Sequence, residues 1–510
     1  MRRFPFLLLA AACTPAVQPA GPPPPRADIV YEASIPDLQA ALTSGGATSA
    51  QLVDAYLARI QAYDDAGPAL NSIILVNPRA RTEAAVLDAE RRAGRVRGPM
   101  HGIPVILKDN YSTTDMPTTA GSVALKGFVP SSEAFQVRKL RDAGAVILAK
   151  ANMQELASGI TNVSSLGGQT CNPYDPTKNP GGSSGGSGAA AAASFAAIAY
   201  GSDTCGSIRI PASFNNLFGL RPTKGLVSIT GIIPLSHTQD VAGPLARTVT
   251  DLAIGLDAIV GPDPADPATR LLDTMMLTTF AASLDTTALR GARIGVLTSY
   301  FGTDTADAEV ARIVRSALDR MRPQGAELVE ITIPRLDTLV GAAGVIDFEF
   351  KYDLQDYLAA TPGAPVSSLT QILERGLFHT SVEVSFRRRE ARGTRDSDAY
   401  RSALAHRDSV RRLVVRFMDE NRLDAIAYPA IRRRPAPVGS GQSGSNCQLS
   451  AVSGLPALSM PAGFTADSLP IGLELLGRPL ADGRLVAIAY DYEQAVRPRR
   501  PPRATPALRP

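Results

Sequence analysis

Lys108 closes a short apolar run, Ile103 to Leu107, and two serines, Ser183 and Ser207, sit in separate loops rich in glycine and other small residues. Hydrolysis of an acyl compound needs a nucleophile, a base that is neutral near physiological pH, and hydrogen-bond donors aimed at the developing oxyanion. Histidine is the usual base, but the chain has only four: His101, His237, His379 and His406. A lysine can take that role only if it is uncharged. Withdrawal from water disfavours the ammonium, and full burial lowers a lysine pKa by ~3–5 units. A lysine at the end of a buried strand is placed for that. Taken singly, such a lysine would be read as a surface charge and such serines as turn formers.

Other chemistries fit less well. Gly182-Ser183-Ser184-Gly185-Gly186 formally matches a G-x-S-x-G nucleophile elbow, but that turn requires a strand before it and a later histidine partner. Here a proline-containing loop precedes the serine, so the match is read as accidental. The glycine-rich loop lacks the lysine of a P-loop and the spacing of a dinucleotide fingerprint. The spacing of Cys171, Cys205 and Cys447 fits neither a zinc ribbon nor a C-x-x-C motif. No metal site and no cofactor are expected.

The elements that must position these residues follow from periodicity. Ile35 to Leu42 reads as a helix capped by Ser34. A longer helix ends at Tyr63, with Val53, Tyr56, Leu57 and Ile60 at helical spacing. Pro78 to Ala93 reads as an amphipathic helix capped by Asn77. Strands are expected at Ile103–Leu107, Ala145–Ala149, Arg293–Leu297, Leu423–Pro429 and Ala457–Pro461. Pro176 to Gly188 reads as a loop, Ala189 to Tyr200 as a tightly packed helix, and Gly201 to Pro211 as a second loop. This alternation predicts an α/β protein with a large mixed central sheet covered by helices on both faces. One catalytic domain is expected over 28–496, with a less patterned insertion around 265–430.

Three segments taken together resemble the amidase signature family. They are His101-Gly102-Ile103-Pro104-Val105-Ile106-Leu107-Lys108-Asp109-Asn110, Gly181-Gly182-Ser183-Ser184-Gly185-Gly186-Ser187-Gly188-Ala189-Ala190, and Gly201-Ser202-Asp203-Thr204-Cys205-Gly206-Ser207-Ile208-Arg209-Ile210-Pro211. The resemblance continues in Thr118 to Ser122, Asp240 to Pro244, Gly454 to Ala457 and Pro461 to Gly463, and it spans about 30 to 495. It implies the amidase signature fold and a Ser-cisSer-Lys triad. Ser207 would be the acyl-accepting nucleophile, Ser183 a bridging serine on a cis peptide bond, and Lys108 the base. The backbone N–H groups of Thr204, Cys205, Gly206 and Ser207 would form the oxyanion hole. Ser184 would support by hydrogen bonding, and Arg209 and Asp240 would hold the loops, paired with each other. Gln239 and His237 receive no role. Cys205 departs from the family, many of whose members carry glycine there. A cysteine at this point favours negative φ.

Composition bounds the rest. The chain has 510 residues, 45% apolar and 20% charged, with a net charge of +4, an ordinary balance for a soluble globular protein that shows no nucleic-acid module. Arg2 and Arg3 precede an apolar stretch, Phe4 to Ala12, too short to span a bilayer as a helix. Residues 1–13 therefore read as an export signal. Ala10-Ala11-Ala12-Cys13 resembles a lipobox, with alanine where leucine is usual at its first position, so a lipid anchor at Cys13 is expected, with a soluble periplasmic or secreted product and an uncleaved N-terminus as alternatives. Residues 14–27 would be a proline-rich tether and 497–510 a basic, proline-rich, solvated tail. Outside the cytosol two of the remaining cysteines could pair, but small buried thiols are the reading adopted for each. The expected function is hydrolysis of a small-molecule carboxylic amide to acid and ammonia or amine. Two alternatives are the amidotransferase-type subunit of the same family, which the export signal opposes, and a non-catalytic binding lipoprotein, which the intact triad opposes. Aliphatic, aryl and peptide amides fit the motifs equally. Segments 335–400 and 430–450 are where the acyl pocket would be built.

Overall fold

A computed structural model describes residues 28–275 and 278–508. The expected export signal, Cys13 and the tether lie outside the described residues. The strands are β1 (Ile73–Val76), β2 (Pro104–Lys108), β3 (Val146–Ala151), β4 (Val163–Ser164), β5 (Gly168–Gln169), β6 (Ile198–Asp203), β7 (Phe218–Arg221), β8 (Val241–Ala246), β9 (Arg293–Leu297), β10 (Glu327–Ile331), β11 (Ala425–Pro429), β12 (Ala457–Phe464) and β13 (Pro470–Leu476). Apart from the small β4–β5 hairpin, they form one sheet of 11 strands in the order β1-β3-β2-β6-β8-β7-β12-β13-β11-β9-β10. Pairings β2–β3, β2–β6, β9–β10 and β9–β11 are parallel, and the others are antiparallel.

Both faces are covered, as expected. Successive side chains of a strand point to opposite faces, and every residue of β2, β3, β6, β7, β8, β11 and β13 is buried. The helices that cover the sheet begin where the sequence supplies caps. Ser34 and Thr48 each close a capping box at the helices Ile35–Ser44 and Ser49–Tyr63.

Several expectations are corrected. The third helix is Ala80–Arg92. It starts later than expected because Asn77 Oδ1 accepts the Arg79 N–H at 2.9 Å and so forms the turn before the helix. The alanine-rich stretch is split: Gly185–Ala192 is helical, while Ile198–Asp203 is β6. Ser194, at φ 56°, breaks the helix between them, and β-branched Ile198 opens the strand. The helix begins inside the glycine-rich loop, where its packing admits no larger residue: a Cβ on Gly186 would lie 2.1 Å from Asn152 O. The stretch 265–430 contributes β9, β10 and β11 to the same sheet.

The C-terminal segment is not a solvated tail. Arg499 Nη2 bonds Glu32 Oε1 at 2.7 Å and Ala192 O at 2.9 Å. Arg59, fully buried, donates to Thr505 O and Pro506 O at 2.9 Å each and to Ala193 O at 2.8 Å. These guanidiniums satisfy carbonyls at the end of the buried helix Gly185–Ala192, so the tail closes the fold behind the site-bearing loops.

Candidate active site

Lys108 is the last residue of β2, between β3 and β6 and inside the sheet, and it is fully buried. Its Nζ lies 2.7 Å from Ser183 Oγ, 2.9 Å from Ser202 Oγ and 3.3 Å from Ser202 O. Burial lowers its pKa to about 7, although the negative charges of Asp203 and Asp240 favour the ammonium. The amine is therefore substantially neutral at physiological pH. In that form it donates to Ser202 and keeps a lone pair for the Ser183 hydroxyl. Asn110 Nδ2 donates to the same Ser202 Oγ at 3.0 Å, which fixes that oxygen as an acceptor.

Ser183 follows a cis Gly182–Ser183 peptide and is fully buried, and its carbonyl accepts the Gln154 N–H at 3.1 Å. Ser207 lies in the turn between β6 and the short helix Arg209–Phe214 and is 4% exposed. Among the described residues its hydroxyl has no hydrogen-bond partner, so it is not tied down by the scaffold. The two serine loops are joined by the Ser184 N–H, which donates to Ser207 O at 3.2 Å, and Ser184 Oγ donates to Ser202 O at 3.1 Å. The structure thus brings the three expected residues and Ser184 into one buried cluster.

The turn around Ser207 is built on Asp203. Its carboxylate accepts the Gly206 N–H at 2.7 Å, the Ile208 N–H at 3.1 Å, and Arg209 Nε at 3.1 Å. Arg221 pairs with the same carboxylate at 3.0 Å. Burial would raise the Asp203 pKa, but the two guanidiniums outweigh it and hold the carboxyl well below its ordinary value. Arg209 also bonds Glu474 Oε1 at 2.6 Å. For the oxyanion hole the expectation narrows: the Gly206 amide is spent on Asp203, whereas the amides of Thr204, Cys205 and Ser207 donate to no other group among the described residues.

Arg209 and Asp240 are not paired with each other. Asp240 instead accepts Thr204 Oγ1 at 2.5 Å and the Leu235 and Ser236 N–H groups at 2.9 and 3.1 Å. Gln239 Nε2 donates to Thr204 O at 3.1 Å. His237 Nδ1 lies 2.9 Å from Asp353, and Glu349 accepts from Ser236 and Thr238. Loop 235–240 therefore links the Ser207 turn to the helix Ile346–Ala360. Sequence reasoning missed Ser202, Asp203, Glu474 and Arg221. Ser202 and Asp203 lie inside the third family segment, but only the register of β6 reveals which way they face. Glu474 carries no local signal.

Cys205 is corrected too. It is bonded to Cys447, with Cα atoms 5.1 Å apart, and Cys171 alone is free among the described cysteines. The positive φ falls on Gly206, at 86°, so Cys205 itself is unstrained.

Arg209→Met is expected to lower folding stability by about 3–5 kcal/mol, because removing one partner of a buried ion network strands the others. Urea unfolding monitored by circular dichroism measures this. A loss below about 1 kcal/mol, no more than an exposed ion pair contributes, would show that Arg221 alone suffices for Asp203.

The family model described as Amidase matches residues 51–486. The chain belongs to the amidase signature family. The native peptide amidase from Stenotrophomonas maltophilia is 40% identical, with a TM-score of 0.84 over 92% of this chain and 98% of that one. A probable amidase of Arabidopsis thaliana is 33% identical over 93% of this chain and 92% of its own length. A glutamyl-tRNA(Gln) amidotransferase subunit of Rhodopirellula baltica is 34% identical over 91% of this chain and 97% of its own length. This amidase is accordingly an enzyme that hydrolyses carboxylic amides.

Proposed function

We propose that the enzyme uses Ser207 as nucleophile, Ser183 as proton relay and Lys108 as base, and that it acts on peptide amides outside the cytoplasm. The observation that carries the catalytic reading is the 2.7 Å contact between the Ser183 hydroxyl and the fully buried Lys108 amine, whose pKa burial lowers to about 7. Lys108 takes the proton of Ser183 as Ser183 takes that of Ser207. The Ser207 oxygen bonds to the amide carbon, and the charge that develops on the carbonyl oxygen meets the unspent amides of Thr204, Cys205 and Ser207. The C–N bond then breaks, Ser183 returns a proton to the departing nitrogen, and water retraces the path to release the acid. None of these steps calls for a metal or cofactor.

The likeness to the Stenotrophomonas peptide amidase supports the substrate class. Export is supported by the N-terminal sequence and by the Cys205–Cys447 disulfide, a bond that persists in oxidising compartments, and a lipid anchor at Cys13 by the N-terminal sequence. The relatedness to the Rhodopirellula amidotransferase subunit favours a second reading, glutamine amide hydrolysis within a complex. Assaying the isolated protein on C-terminal peptide carboxamides and on glutamine separates the two. Ammonia release from the peptide amides without a partner supports the proposal, and activity only with added subunits refutes it.

The base assignment predicts a pH profile. Protonation removes the lone pair of Lys108, so kcat/KM should rise with pH through a midpoint near the Lys108 pKa of about 7. Two units below that midpoint the rate should be down ~100-fold, the fraction of neutral amine expected there. A profile that stays flat across this range would mean that another group supplies the base.

A further inference from the structure

The turn that carries Ser207 is held unevenly. Asp203 is fixed by two guanidiniums, and Thr204 is held through Asp240 and Gln239. Between them and Ser207, the backbone N–H and C=O of Cys205 make no hydrogen bond among the described residues. What anchors Cys205 is its sulfur, bonded to Cys447 across 242 residues of sequence. Cys447 is well placed to act as a fixed post. It sits at the start of the helix Gln448–Ser453, its carbonyl accepts Arg209 Nη2 at 3.2 Å, and the adjacent Asn446 Nδ2 donates to Tyr300 O at 2.9 Å and Pro429 O at 2.8 Å. The two segments touch: a Cβ added to Gly206 would lie 2.8 Å from Cys447 Cβ. Cys205 is partly exposed and its partner Cys447 is buried.

We infer that the Cys205–Cys447 disulfide positions the nucleophile turn, so that full activity requires the oxidised form. The inference rests on the Ser207 reading above. Oxidation joins the two sulfurs as the thiols give up two protons and two electrons to a small-molecule or protein disulfide, which is reduced to two thiols. With the bond formed, the Cys205 amide and Ser207 keep a fixed relation to each other and to Ser183. With the bond open, Cys205 is held only through its neighbours, Thr204 on Asp240 and Gln239 and the Gly206 N–H on Asp203, and the oxyanion donor next to the nucleophile loses its alignment.

The test uses the full chain in a Cys13→Ser, Cys171→Ser background so that the pair titrates alone. Dithiothreitol reduction, verified by thiol counting, should lower kcat at least about tenfold, a part of the ~10²–10³ that complete loss of one oxyanion donor costs, with a smaller change in KM. It should slow fluorophosphonate labelling of Ser207 in parallel, leave the far-ultraviolet circular dichroism unchanged, and be reversed by oxidised glutathione. Cys447→Ala should show the same low kcat and no response to reductant. Reduced protein that keeps full kcat overturns the inference, and so does reduction that melts the fold, since the bond would then serve global stability. The two readings fail separately. Turnover by Ser207→Ala refutes the nucleophile assignment, whereas equal activity of oxidised and reduced wild type refutes only the role of the disulfide.

Discussion

Ser207→Ala is expected to lose ~10⁴–10⁶ in kcat on any amide the wild type turns over, the range seen when one member of a catalytic triad is removed. The fold should survive. Ser207 Oγ has no hydrogen-bond partner among the described residues, and the neighbouring carboxylate network runs through Asp203, Arg209 and Arg221. Truncation therefore removes one hydroxyl without stranding a buried charge, and the melting temperature should stay within a few degrees of wild type. Steady-state kinetics with thermal unfolding measures both. Retained turnover would show that the hydroxyl, though free and central, is not the attacking atom.

Lys108→Met is expected to lower kcat/KM by ~10²–10⁴, the usual contribution of a positioned general base. Methionine keeps most of the buried stem and removes only the amine. Ser183 Oγ then loses its 2.7 Å partner, and Ser202 Oγ retains Asn110. The variant should also lose the rise in rate through pH of about 7, since the group that titrates there is gone. These two readouts separate chemistry from packing. A packing defect would lower the rate at every pH and leave the shape of the profile intact.

The parts of this site that were legible in the sequence are those set by local chemistry. An apolar run ending in lysine is a buried strand with a buried amine, and small residues on both sides of Ser183 and Ser207 are tight turns. The same kind of run marks β3, β9, β11 and β12. What was not legible depends on partners distant in the chain. Arg209 meets Glu474 and Arg499 meets Glu32 only after the sheet has formed, so counting arginines and prolines near the C-terminus made a docked strap look like a solvated tail. The spacing of cysteines carries no information on pairing across 242 residues. The alanine-rich stretch misled for a different reason: helix propensity favours Ala189 to Ala197 throughout, but tertiary packing stops the helix at Ala192 and hands Ile198 to the sheet.

The division of labour within the site also differs from its motif. Gly206 belongs to the motif as an oxyanion donor, but its amide is spent on Asp203, which leaves Cys205 and Ser207 as the adjacent free amides. In the proposed mechanism Cys205, the residue most unlike the family, would serve as an oxyanion donor, and it is covalently bonded to Cys447. The central claim is that Ser207, activated through Ser183 by Lys108, forms the covalent intermediate. Peptide mapping by mass spectrometry after reaction with a fluorophosphonate tests it most directly. The account predicts a single adduct on Ser207 in wild type, none in Ser207→Ala, and a strongly slowed adduct in Lys108→Met. An adduct on Ser183 or another serine, or labelling that persists in Ser207→Ala, would contradict it.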